Sequence, residues 1–317
     1  MSATRLSALL ARPWMPVWVL LFSSALWGLT WWPLKGFASA GLSGPLLALL
    51  TYGCAGLVGL PWLLRQKKDW QPQSALLLWI ALVGGWGNTA FVSAMVLGDV
   101  VRVMLLFYLA PVWSVLGGRL FLGEQVSGRR ATAVGLSLAG AFLVVGGMAA
   151  FDAPPSAADV LAITAGLGFS GNNILARKAQ AVPVASKTVG VLLGCGVTSL
   201  LMLGVLALGQ GAPPLTLPPW TAQGLALLMV FSLLWMGLVT LTWQWSVTRL
   251  EAGRSGVIAI AELVVALLSA TLLGSETMTA AECLGGALIA AAAILEATDS
   301  RTTSPAARPA ALMKKAL

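Results

Sequence analysis

Apolar residues run along this chain in blocks of about twenty, separated by short polar or basic stretches. A helix of that length crosses about 30 Å of hydrocarbon. Lipid cannot satisfy exposed backbone groups, so a spanning chain forms helices or a closed barrel, and unbroken apolar runs select helices. The blocks predict spans at roughly 17–37, 43–64, 74–97, 101–122, 131–150, 158–177, 187–209, 220–247, 255–274 and 279–297. The expected fold class is therefore all-α integral membrane, with ten transmembrane helices.

The pattern is written twice. Shifting Asp99–Glu124 by 152 residues without a gap places Asp99 on Glu251, Arg102 on Arg254 and Glu124 on Glu276. Each copy opens on acid-x-x-Arg, continues through a long apolar run and closes on a glutamate. At an offset of 142, Trp27 meets Phe169, Thr30 meets Asn172 and Lys35 meets Arg177. The two offsets differ by an insertion, for which the segment 210–219 (QGAPPLTLPP) is the obvious place. The expected organisation is a cytoplasmic N-terminal segment 1–16, a first five-helix repeat 17–150, a second 151–297 and a disordered cytoplasmic tail 298–317.

Basic residues set the orientation. With the N-terminus cytoplasmic, every one of the 19 lysines and arginines except Lys35 and Arg102 falls on the inner side, as the positive-inside rule requires. Both termini are then inside. Five helices per half make the second half enter from the opposite side, so the repeats are inverted, with a site expected near the midplane where the halves meet.

Composition narrows the function. The chain is 58% hydrophobic and 9% charged, too apolar for a soluble domain of 317 residues, and its 35 glycines suit close helix approach. The net charge of +8 invites a nucleic-acid partner. The bases lie in short clusters between apolar runs, not on one stripe, so no nucleic-acid partner is expected. Histidine is absent, which removes His relays, His-dependent triads and His-ligated metals. Cys54, Cys195 and Cys283 lie far apart in apolar runs without metal spacing. Gly166-x-Gly168-x-x-Gly171 has the form of a dinucleotide fingerprint but lies inside a span with no strand before it, so it reads as helix packing. No Walker A motif occurs. Neither metal nor cofactor is expected, and catalysis is not.

The order of motifs resembles the EamA-type family of the drug/metabolite transporter superfamily. The matching residues are Ala25-Leu26-Trp27-Gly28 with Lys35, Leu109-Ala110-Pro111-Val112, Leu122-Gly123-Glu124, and Gly135 with Gly140. The resemblance implies a basket of ten helices in two inverted repeats, exporting small polar or amphipathic metabolites across a bacterial inner membrane. The second half departs from it, carrying Glu262-Leu263 where the family usually has proline. Fourteen tryptophans and the cluster Trp243-Gln244-Trp245 resemble the branch that exports aromatic amino acids. The expected partners are then a small-molecule substrate (an aromatic or other neutral amino acid), protons and the lipid bilayer, with the chain a monomer.

Polar residues deep in spans are costly and tend to face a cavity. Trp27 and Thr30 share a face of the first helix, and Asn172 lies on the equivalent face of the sixth. Asn88 and Trp243 occupy corresponding faces of the third and eighth. Such faces suit an amino acid, amides taking its charged groups and rings its side chain; interhelical hydrogen bonding with aromatic packing would produce the same pattern. Pro111 withholds an amide from the Phe107 carbonyl and predicts a kink that would act as a hinge, with Tyr108 one turn before it. Glu262 stands where the first copy has Ala110, inside an apolar run with small residues on its face. It would bind a substrate ammonium, cycle a proton, or pair structurally with Lys35 or Arg102. Arg102 and Arg254 read as helix-end partners of Asp99 and Glu251. A membrane enzyme lacks clustered acids here, and a channel would not need inverted halves.

Overall fold

The computed structural model describes residues 12–42, 44–97, 100–146, 148, 154–210, 221–274 and 278–299. Residues 1–11 and 300–317, Asp99, Glu276 and the segment 211–220 lie outside these, and with them most of the predicted tail and insertion. The described residues are helical throughout, with no strand among them. The helices are α1 Met15–Leu29, α2 Trp31–Ser39, α3 Gly44–Arg65, the short α4 Lys67–Trp70, α5 Ser74–Leu97, α6 Val100–Phe107, α7 Ala110–Leu122 and α8 Gly128–Val144. There follow α9 Ala157–Lys178, α10 Val184–Gln210, α11 Ala222–Val230, α12 Gly237–Val247, α13 Ala252–Ala259, α14 Ala261–Gly274 and α15 Ala280–Ala297.

Among the described residues, eight helical stretches are long and apolar enough to cross a membrane: Met15–Ser39, Gly44–Arg65, Lys67–Met95, Arg102–Leu122, Val184–Leu208, Ala222–Val247, Ala252–Leu273 and Ala280–Ala297. The remaining two expected spans are helices of a different make. α8 has only 17 residues. In α9, Asp159, Asn172, Asn173 and several glycines lower the hydropathy, and many of its residues are buried against neighbours.

Sequence chemistry explains where these helices begin. Ser127 accepts from the Arg130 amide at the start of α8, and the Asp159 carboxylate accepts from the Ser156 amide before α9. Thr279 and Glu282 form a reciprocal capping box on α15. α7 stops at Gly123, whose positive φ of 69° suits glycine, and the Glu124 amide turns back to the Gly118 carbonyl.

Three of these apolar stretches are broken along their length. α1 gives way to α2 at Thr30, α6 to α7 across Tyr108 and Leu109, and α13 to α14 at Ile260. The second break is the one Pro111 predicts, and Pro111 stands in the first turn of α7. The third occurs without proline. A fourth span stays continuous but widens into a π-helical turn at Phe231–Met236, between α11 and α12.

Packing is organised around glycine contacts. α5 and α9 cross at Gly87 and Gly168, where a β-carbon on Gly168 would lie 2.8 Å from the Gly87 α-carbon. α8 and α15 cross at Gly140 and Gly285 in the same way. Without a hydrophobic drive between helices in lipid, such close approach supplies the attraction. α3 lies along α10, α7 along α13, α1 along α12 and α14, and α9 along α5 and α7. Large apolar side chains such as Trp18, Trp32, Leu120 and Leu208 point outward, forming a surface that suits lipid.

Candidate functional site

The breaks converge on a cavity of about 690 Å3, its open mouth included. Its walls come from both halves of the chain. The rings of Trp27, Phe91, Phe107, Phe169 and Trp243 supply most of the apolar wall; Asn88, Asn172, Thr240 and Gln244 supply the polar one. Gly84, Gly87 and Val191 complete the sides, and Glu262 is the charged group. A β-carbon on Gly84 would sit 2.9 Å from the Asn172 Oδ1, so glycine makes room for that amide.

The rings form a continuous run. Phe91 to Phe107, Phe107 to Phe169, and Phe169 to Trp243 have centroids 4.5, 5.7 and 5.0 Å apart, at tilted or edge-on angles. Those are the arrangements that quadrupole attraction favours. The amides are organised among themselves. Gln244 Nε2 donates to Asn172 Oδ1 at 2.9 Å, Trp243 Nε1 to Asn173 Oδ1 at 3.1 Å, and Tyr52 Oη to Asn88 Oδ1 at 3.1 Å.

Glu262 stands in the first turn of α14. Its Oε1 accepts from the Tyr108 hydroxyl at 3.3 Å. A carboxylate at that position gains from the positive end of the helix dipole. The Ile260 break therefore gives Glu262 a helix N-terminus that a continuous span would not offer.

The structure thus brings Trp27, Asn88, Asn172, Trp243 and Glu262 around one space, with Tyr108 behind Glu262. Thr30 is placed elsewhere. Its Oγ1 donates to the Leu26 carbonyl at 2.8 Å and accepts from Trp235 Nε1 at 3.0 Å, so the break before α2 absorbs its polarity. Pro111, in the first turn of α7, lies against Gly256 of α13, and the Ala110 carbonyl beside it accepts from Ser170 Oγ at 2.7 Å. The structural pairing of Glu262 with Lys35 or Arg102 gives way to other contacts. Arg102 Nε lies 2.8 Å from Asp159 Oδ1, and the Lys35 ammonium lies 6.0 Å from the Trp31 ring centroid. Glu251 reaches Arg130 rather than serving only its own helix end. Phe107 was not singled out beforehand. Its position next to Tyr108, one residue before the proline break, was the available signal.

At one end of the bundle a buried charge cluster joins the halves. Arg130 Nη2 lies 2.5 Å from Glu251 Oε2 and its Nε 3.3 Å from Glu296 Oε1. Glu124, from the turn after α7, accepts from the Ala252 and Gly253 amides at 2.8 and 3.2 Å and so caps α13 of the other half. Burial raises the Glu124 carboxyl above its ordinary range, against the lowering effect of those two amides. Among the described residues, no group of three or more metal-ligating side chains comes together.

Residues 14–146 match the model of the EamA-like transporter family. No curated protein matches the sequence. A solved crystal structure is similar over 89% of this chain and 96% of that one, with a TM-score of 0.70 and 20% identity. That likeness is one of fold.

Proposed function

We propose that this chain is a secondary transporter that exports a small amphipathic metabolite bearing an ammonium group, amino acids with aromatic or other neutral side chains being the first candidates. The observation that carries the reading is the cavity itself: one carboxylate, a run of rings and a set of amides, drawn from both halves where broken helices meet. Pockets of this make hold a ligand through apolar area and orient it through a few polar groups. The EamA domain in the first half supports a membrane transporter of the drug/metabolite superfamily.

Alternating access between two inverted five-helix repeats is supported by correspondence within the packing. Exchanging the halves turns the α5–α9 contact into α12–α1 and the α7–α9 contact into α14–α1, while α3–α10 and α8–α15 map onto themselves. The lining corresponds too, Asn88 with Thr240 and Phe91 with Trp243, at the offset of 152. The breaks at Pro111 and Ile260 are the proposed hinges. The proposed setting is a bacterial inner membrane with both termini cytoplasmic.

The test is uptake of radiolabelled tryptophan, phenylalanine and threonine into proteoliposomes, with and without an imposed pH gradient. Saturable uptake is expected, and Glu262→Gln is expected to abolish or uncouple it while leaving the thermal midpoint in detergent unchanged. Wild-type transport by the variant would sink the assignment of Glu262.

A further inference from the structure

We infer that the cavity selects organic cations, an aromatic or apolar body carrying one ammonium, over zwitterionic amino acids. This rests on the transporter reading above and sharpens its substrate class.

The first argument is charge. Among the described lining residues Glu262 is the charged side chain, and no lysine or arginine joins it. Arg102 lies at Asp159, Lys35 over Trp31 and Arg254 at the Ala297 carbonyl. A zwitterion would satisfy Glu262 with its ammonium but bring its own carboxylate into a partly desolvated space that already holds a fixed one. Like charges repel more strongly there than in water. A monocation meets no such opposition.

The second argument is which hydrogen-bonding capacity is left over. Asn88 Nδ2 donates to the Gly84 carbonyl at 2.9 Å, Asn172 Nδ2 to Asn173 Oδ1 at 3.4 Å, and Gln244 Nε2 to Asn172 Oδ1. Each of these amide nitrogens thus spends one of its two N–H donors on a protein oxygen. Gln244, buried to 1% exposure, keeps its Oε1 without a partner. A buried acceptor left unmatched is costly, and an ammonium N–H would relieve it. That oxygen is one an ammonium can answer and a substrate carboxylate cannot.

The third argument is the wall. The faces and edges of Phe91, Phe107, Phe169 and Trp243 form a run beside the Tyr108–Glu262 pair. Ring faces attract cations more strongly when water is excluded. Carboxylates gain nothing from them.

An indole series isolates the charge, because tryptamine, tryptophan and indole-3-propionate share one ring system. Titration calorimetry on the purified full chain in detergent at neutral pH is expected to show tryptamine binding at least about tenfold tighter than tryptophan, a gap of ~1.4 kcal/mol. Indole-3-propionate is expected to be weakest. Glu262→Gln is expected to weaken tryptamine more than tryptophan and so narrow the gap, and the wild-type comparison decides the question even if that variant does not fold. Counterflow of the same compounds in proteoliposomes separates the two readings. Tryptophan bound as tightly as tryptamine, with saturable counterflow intact, overturns the cation preference and leaves the transporter standing. Saturable counterflow of none of the three overturns both.

Discussion

The two ends of the helix bundle are held shut by different means. At the end that carries Arg130, a guanidinium buried to 2% exposure is shared between Glu251 and Glu296. A carboxylate from the first half caps a helix of the second, and Arg129 clasps the Leu295 carbonyl with two donors. At the other end, Arg102 pairs with Asp159. The first end closes through one guanidinium that two acids must share. The second closes through a single pair, whose side chains keep 15 and 10% of their surface. Parting the first end strands three charged groups at once; parting the second strands two. The conformation seen here is accordingly expected to open at the Arg102 end first.

The comparison is broken or sharpened by removing one group at a time and reading the thermal midpoint of the purified protein in detergent. Arg130→Met strands two carboxylates and is expected to cost about 3–5 kcal/mol, the cost of an uncompensated buried charge. Glu124→Ala removes the cap of α13 and is expected to cost about 1–2 kcal/mol. Arg102→Gln removes one charged hydrogen bond from the largely buried Asp159 and is expected to cost about 1.5 kcal/mol, the lower end for such bonds. If Arg102→Gln proved as damaging as Arg130→Met, the asymmetry between the ends would be gone.

The spans and the deep polar residues were legible in the chain because lipid imposes a single rule on both: apolar along the length, polar only where something receives it. That is why Asn88, Asn172, Trp243 and Glu262 could be picked out before any coordinates. Pro111 announced its break by its own chemistry. The break at Ile260 had no such mark, because no proline withholds an amide there. Arg129 and Arg130 were readable as two positive charges at an inner helix end. That one of them would be buried between acids more than a hundred residues away is a tertiary fact with no local pattern. Lys187 is similar: counted with the inner charges, it is wholly enclosed, its ammonium donating to the Ala176 and Ala179 carbonyls and to Thr248 Oγ1. Thr30 was misplaced for the opposite reason, a periodicity argument carried across a helix that is interrupted at that residue.

The π-helical turn at Phe231–Met236 changes what it means to read the eighth span. A regular helix advances about 100° per residue, so one residue absorbed into a widened turn rotates everything after it by about that angle. The stretch 222–230 shows mostly exposed side chains, while Thr240, Trp243 and Gln244 face the cavity. Ser232 and Trp235 moor the wide turn to the Thr51 carbonyl and to Thr30. Drawing that turn back into regular helix without removing a residue would rotate the side chains beyond it by about 100° and bring a different set to the cavity, whereas deleting one residue along with the turn would keep the same set in place. The make of the cavity wall is therefore set in part by the width of one turn, with no change in the identity of any residue that lines it.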